Sequence, residues 1–175
     1  DLIDSWRQAT PPDAPNRFVI NVQPDQLDDF QAALKAAGVG AHDSFPMIRG
    51  RLVAINGAPP DPATLATENA RRLVEREFNL SHAPQLPPHN IVVGGQWTPE
   101  EADGISVEQG LANTLGLKLG DTLAFDMGGQ KHEGRITSLR KVDWGSMRAN
   151  FFVMFPVAAM PDLPTTWMAA FHVGN

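Results

Sequence analysis

The sequence predicts an α+β fold in which one layer of strands and helices is interrupted by an inserted helix-hairpin unit. Three observations predict it. Strand-like alternation of apolar residues occurs near both ends of the chain, two stretches in the first half repeat apolar residues at helical spacing, and Ile105 to Trp144 reads as a short helix followed by a hairpin. With 175 residues the chain has length for one domain with a core, or for two small subdomains.

Residues 1–16 form an N-terminal segment whose Pro11, Pro12 and Pro15 make an extended connector. Phe18, Ile20 and Val22 then alternate with Val19 and Asn21, which predicts a half-buried strand over Arg17 to Gln23. Pro24 and Asp25 open a helix carrying Leu27, Phe30, Leu34 and Ala37 on one side, and Gly38 closes it. After a loop around His42, Met47 to Ile55 is a second strand and Asn56-Gly57 a tight reversal. Thr67 to Phe78 reads as a helix with Ala70, Leu73, Val74 and Glu77 along one side. Ser81 to Asn90 holds three prolines without periodicity, which marks a subdomain boundary.

The inserted unit starts at Ile91 to Val93, passes a short helical turn at Thr98 to Glu101, and reaches a helix. Ser106 fits the N-cap, Gln109 its capping-box partner and Glu108 the first turn. Gly116 fits the left-handed C-terminal position, with Leu117 folding back. Thr122 to Met127 is a strand with Leu123, Phe125 and Met127 on one face, Gly128-Gly129 a hairpin turn, and Lys131 to Val142 the return strand, with a bulge near Ser138. Beyond Trp144, Phe151 to Phe155 reads as a strand buried on both faces, Val157 to Met160 as one helical turn, and Thr165 to Val173 as a final strand. The parts are therefore 17–89, 90–145 and 146–175 after the N-terminal segment, the first and third forming one layer.

Composition narrows the function. A formal net charge of -6 argues against nucleic acid or an anionic membrane surface as the main partner. With no cysteine there is neither a disulfide framework nor a thiolate metal site. The longest apolar run, Phe151 to Met160, is broken by Pro156 and falls short of the roughly 20 residues that span a bilayer. The chain begins with DLIDSW, without an initiating Met or a signal peptide, which reads as a fragment or processed product. The five histidines lack metal-ligand spacing, no serine sits in a nucleophile elbow, and no Gly-rich loop ends in Lys-Ser or Lys-Thr. The reading is of a non-enzyme with no cofactor and no metal.

Two features suit an interaction surface. Arg49 and Arg51 flank Gly50, so in a strand both point to one face, where they suit a carboxylate or phosphate head group, or else protect an edge strand by their charge. The other is the loop Asp143 to Arg148, in which Trp144 is either a plug between subdomains or a ligand platform, with Arg148 beside it.

Five segments in fixed order carry a resemblance: APNRFVINVQPDQ (14–26), FPMIRGRLVAING (45–57), ARRLVEREFNLS (70–81), the stretch containing EQGLA, LGLKLGD and RKVDW (108–144), and NFFVMFP (150–156). Together they resemble the extracytoplasmic domain of MacB/FtsX-type ABC transporter permeases, specifically the YbbP-like, lysophospholipase-linked branch. The resemblance implies a two-lobed periplasmic domain, a porter-like βα lobe with an inserted second lobe, in a bacterial inner-membrane protein. It further implies a separate cytoplasmic ABC ATPase subunit, a second permease copy, and coupling of ATP-driven motion to extraction or export of lipids or other hydrophobic molecules. Leu2, Ile3 and Trp6 would then continue a helix rising from the bilayer. The alternative within the same resemblance is a binding module that recruits or regulates a periplasmic esterase or lysophospholipase, or holds its lipid.

Overall fold

A computed structural model of the chain describes residues 15–39, 42–145, 148–160 and 162–173. The expected N-terminal helix at Leu2 to Trp6 and the connector prolines Pro11 and Pro12 lie outside the described residues. Two compact units share the chain. Of the described residues, the smaller comprises those up to Phe45, those within Trp144–Ala149 and those from Thr166 onward, and the larger comprises those within Pro46–Asp143 and Asn150–Thr165.

In the smaller unit, β1 (Arg17–Val22) runs antiparallel to β9 (Thr166–Phe171), and α1 (Leu27–Ala36) packs on the pair. Its core is Leu34, Ala169 and Phe171, with Val19, Phe30 and Val39 against it, and the Phe30 and Phe171 rings meet edge to face at 6.3 Å. This corrects the expected face of β1. Val19 faces the core, whereas Phe18 and Ile20 are 45% and 49% exposed. Asn21 adopts a left-handed φ of 60°, and the register slips between Val19 and Val22. That bulge rotates Val22, which alternation alone groups with Phe18, into a buried position.

The larger unit is a closed ring of six strands. The strand β2 (His42–Ile55) pairs with β6 (Thr122–Met127) on one side and β3 (Glu77–His82) on the other. From β6 the ladder continues to β7 (Gln130–Val142) and β5 (Gly104–Glu108). It then passes through β8 (Val153–Phe155) back to β3. Closure leaves no free edge within the ring. The strand β4 (Asn90–Gly95) adds to the far end of β7. Inward residues Ile48, Leu52, Leu80, Ile105, Val107, Phe125, Ile136 and Phe155 join Leu73 and Val74 of α2 (Glu68–Glu75) and Leu111 and Leu115 of α3 (Gln109–Leu115) in one core.

This division differs from the expected parts 17–89, 90–145 and 146–175. The helix-hairpin unit is not set apart, because β6 bonds to β2 and β5 bonds to both β7 and β8. The physical reason is that a two-stranded hairpin buries one face at most, whereas β6 and β7 complete their hydrogen bonding by entering the ring.

Several local expectations hold. Gly116 ends α3 at φ 69° with Leu117 N donating to Ala112 O at 2.8 Å, while Thr67, expected as the first residue of its helix, is the N-cap of α2, its hydroxyl accepting from Ala70 N at 3.1 Å. Gly128 and Gly129 turn at φ 62° and 87°, and Thr137 is the extra residue of a bulge, since Ile105 faces Ile136 while Ser106 faces Ser138.

Others are corrected. The second helix ends at Glu75, and Glu77 and Phe78 belong to β3, where Phe78 packs edge to face on Phe125 at 6.3 Å. A fully buried ladder position outweighs the helical propensity of that stretch. Thr98 to Glu101 is a turn with Glu100 at φ 64°, closed by Glu101 N to Thr98 O, not a helical one. Val157 to Met160 is irregular: Ala158 N donates to Glu100 Oε1 at 3.1 Å rather than to a helical carbonyl.

Candidate functional site

Gly50 lies between Arg49 and Arg51 on β2, and the alternation sends the glycine inward and both arginines outward. Arg49 faces Asn79 across the ladder; Arg51 faces Glu77 on β3 and Asp126 on β6. Having a partner strand on each side, β2 is not an edge here, which removes edge protection as the reason for the pair. The two guanidinium groups stand on the outer surface of the ring, beside acidic neighbours one strand away.

Trp144 and Arg148 belong to the smaller unit. Trp144 is 49% exposed. Arg148 Nη1 bonds Asp43 Oδ2 at 3.0 Å, with both side chains about three-quarters buried (24% and 21% exposed). That pair fixes the residue structurally. Ser146 and Met147 of the same loop lie outside the described residues.

The residue that sequence reading misses is Arg140. It is fully buried, and its guanidinium is the hub of a polar cluster on the face of β5 and β7 opposite the apolar core. Nε donates to Ser106 Oγ at 2.8 Å, Nη1 to Asn90 Oδ1 at 2.6 Å, and Nη2 to the carbonyls of Phe151 at 2.9 Å and Phe152 at 3.2 Å. Ser138 Oγ donates to Ser106 Oγ at 2.7 Å. Ser106 is therefore a buried bridge within a strand, not a helix cap. The cap of α3 is Glu108, whose carboxylate accepts from Gly110 N and Leu111 N, both at 2.7 Å. An ionised carboxylate at those two amides, with the helix dipole, is a stronger cap than a hydroxyl. Burial pushes Arg140 down to about 10, and the negative charge of Glu108 opposes that shift. The arginine stays charged at neutral pH. The signal available in the sequence is slight: Ser138 and Arg140 stand two apart in a largely polar β7, and Ser106 lies between Ile105 and Val107 in β5.

This cluster has no nucleophile beside a base. Among the described residues no group of three or more His, Asp or Glu side chains converges as a metal site would need. His82 and His132 are held below the usual histidine range by burial; Val157 O, 3.0 Å from His82 Nδ1, and the Asp103 charge near His132 oppose the shift. A histidine whose folded pKa lies below its unfolded value costs stability once the unfolded chain binds the proton. Above about pH 6.5 these rings therefore cost nothing, and stability falls as the pH drops from there towards their folded values. Thermal unfolding at pH 7.5 is expected at a higher temperature than at pH 5.5. His132→Phe, which keeps an aromatic ring against Phe155, should flatten the dependence; an unchanged slope would remove His132 as a source.

No family model matches the chain. YbbP of Escherichia coli (strain K12), described as an uncharacterized ABC transporter permease, is 39% identical over 175 residues, which is 100% of this chain and 21% of the relative. The chain is homologous throughout to a segment of that permease. The five motifs thus lie in one continuous alignment rather than in scattered matches. The chain spans about a fifth of that relative's length. Among solved structures, a crystal structure of "a domain of a putative permease protein" from Porphyromonas gingivalis matches 82% of this chain and 66% of its own, with a TM-score of 0.45 and 9% identity. No helix among the described residues is long and apolar enough to cross a membrane.

Proposed function

We propose that this chain is the extracytoplasmic domain of an ABC transporter permease subunit, with the ATPase in a separate cytoplasmic protein. The observation that carries the reading is 39% identity to an ABC transporter permease over the whole length of this chain. The fold is compatible with such a role, because Arg140 ties β4, β5, β7 and the segment before β8 together through hydrogen bonds to protein groups, which suits the larger unit to transmitting motion as one piece.

In this reading ATP-driven motion of the membrane helices moves the domain, which assists extraction or export of a lipid or other hydrophobic molecule as one of a pair of permease copies. Arg49 and Arg51, exposed side by side on the ring, are the candidate contacts for an anionic head group or partner, with Trp144 a candidate apolar contact on the smaller unit. Arg148 serves as a strut through Asp43. Reporter fusions test the placement: in the full-length permease, alkaline phosphatase inserted at the Asn56-Gly57 turn should be active. Activity of a cytoplasmic reporter at the same turn would overturn the reading. Affinity capture with the full-length permease should retain an ABC ATPase; capture of an esterase in its place would favour a recruiting module.

A further inference from the structure

We propose that a cavity at the hairpin end of the larger unit binds the uncharged apolar end of a small amphipathic molecule, an alkyl or phenyl group bearing one hydroxyl or amide. The cavity has a volume of about 180 Å³ and opens to solvent. Its walls are Val157, Ala159, Met160 and Leu163, from the stretches 156–160 and 162–165 that follow β8, together with Ala102. His132 and Gln130 from the start of β7 supply its polar lining.

These walls are fixed before any ligand arrives. Ala158 N is tied to Glu100 Oε1 at 3.1 Å, Gln130 Nε2 donates to Asp162 O at 2.7 Å, and Val157 O lies 3.0 Å from His82 Nδ1. Preorganisation of this kind removes much of the ordering cost of binding. The volume is enough for a ring or a short chain, since a dry cavity of about 150 Å³ takes up benzene. Among the described residues no Asp, Glu, Lys or Arg lines the space, so a charged group would lose water without gaining a partner there. Polarity instead comes from a neutral imidazole, which in either tautomer has one donor and one acceptor. The His132 ring stands edge to face with Phe155 at 4.9 Å, and its buried Nε2 has no hydrogen-bond partner among the described residues. One polar group on an otherwise apolar ligand matches that inventory. The site depends on the larger unit alone, whatever the full-length protein transports.

The test is a titration of the protein, labelled at its methionine methyl groups, with 1-hexanol, hexanoate and hexylammonium. Hexanol should shift the Met160 methyl resonance saturably, and should bind at least about tenfold more tightly than either charged analogue. Ala159→Leu fills the space and should abolish the shift while leaving the other methionine signals in place. Leu163→Phe is the second filling variant should the first fail to fold. The proposal is overturned by an unsaturable response up to the solubility of hexanol, by hexanoate binding as tightly, or by an undiminished shift in a folded filled variant.

Discussion

Arg140→Ala is expected to destabilise the protein by about 3 to 5 kcal/mol, the range for removing one member of a buried charged cluster. Three separate parts of the chain converge on this side chain. Asn90 begins β4, Ser106 is in β5, and the Phe151 and Phe152 carbonyls lie just before β8. Truncation removes the donor to Asn90 Oδ1 and one donor to each of the Phe151 and Phe152 carbonyls, Glu108 N still donating to Phe152 O at 2.7 Å, and it leaves the Glu108 carboxylate without the nearby positive charge. For a chain of this size the loss corresponds to a fall in melting temperature on the order of 10 °C. Arg140→Lys keeps the charge but cannot reproduce a planar fork of donors, so its stability should fall between the two. Arg140→Met separates charge from packing, because an apolar side chain of similar length fills the volume without the hydrogen bonds. Thermal and urea unfolding of the three variants checks the order Lys above Met and Ala; a Met variant as stable as the parent would make the cluster dispensable to stability.

The same cluster shows where the sequence is readable and where it is not. Turns are local, and these are legible: Gly116, Gly128-Gly129 and Asn56-Gly57 all occupy left-handed conformations where their chemistry suggests them. The alternation of Leu123, Phe125 and Met127 is also local, and all three are buried. What escapes is pairing between segments far apart in sequence. β5 is buried along all of its length, so it shows no alternation to announce itself, and its Ser106 looks like a cap when its neighbours across the sheet are unseen. Phe78 follows a good helical pattern and is claimed by β3, where it pairs with Gly50 of β2. Arg140 is invisible as a core residue for the same reason, since its partners stand 34 to 50 positions away in the chain on one side. The candidate surface residues fare differently. The opposed directions of Gly50 and its flanking arginines follow from alternation, whereas the Asp43 contact that occupies Arg148 depends on a fold no local pattern specifies.

Gly50→Val should cost about 3 kcal/mol, with Gly50→Ala about 1 to 3 kcal/mol, as overpacking of a filled core. The reason is space and not backbone conformation. A Cβ on Gly50 would stand 2.7 Å from Leu80 Cδ1 and 3.0 Å from Met127 Cγ. Both of those residues are completely buried, so the displaced methyl and methylene have no vacant volume to enter without moving the ring strands β3 and β6. Valine adds two further methyl groups at the same point. The outward neighbours provide the contrast: Arg49→Ala and Arg51→Ala remove exposed side chains and should each change stability by no more than about 0.5 kcal/mol. Urea unfolding of the four variants measures both halves of the prediction. A Gly50→Val protein of parental stability would show that β2 does not close tightly on β3 and β6. Large losses from the arginine variants would mean that these side chains hold the ring together through Glu77 and Asp126, and would take away their availability for a partner. If the glycine is costly and the arginines are not, the inward position of β2 is committed to packing. The outward pair is then free of any structural duty, which is the condition a contact surface on this domain has to meet.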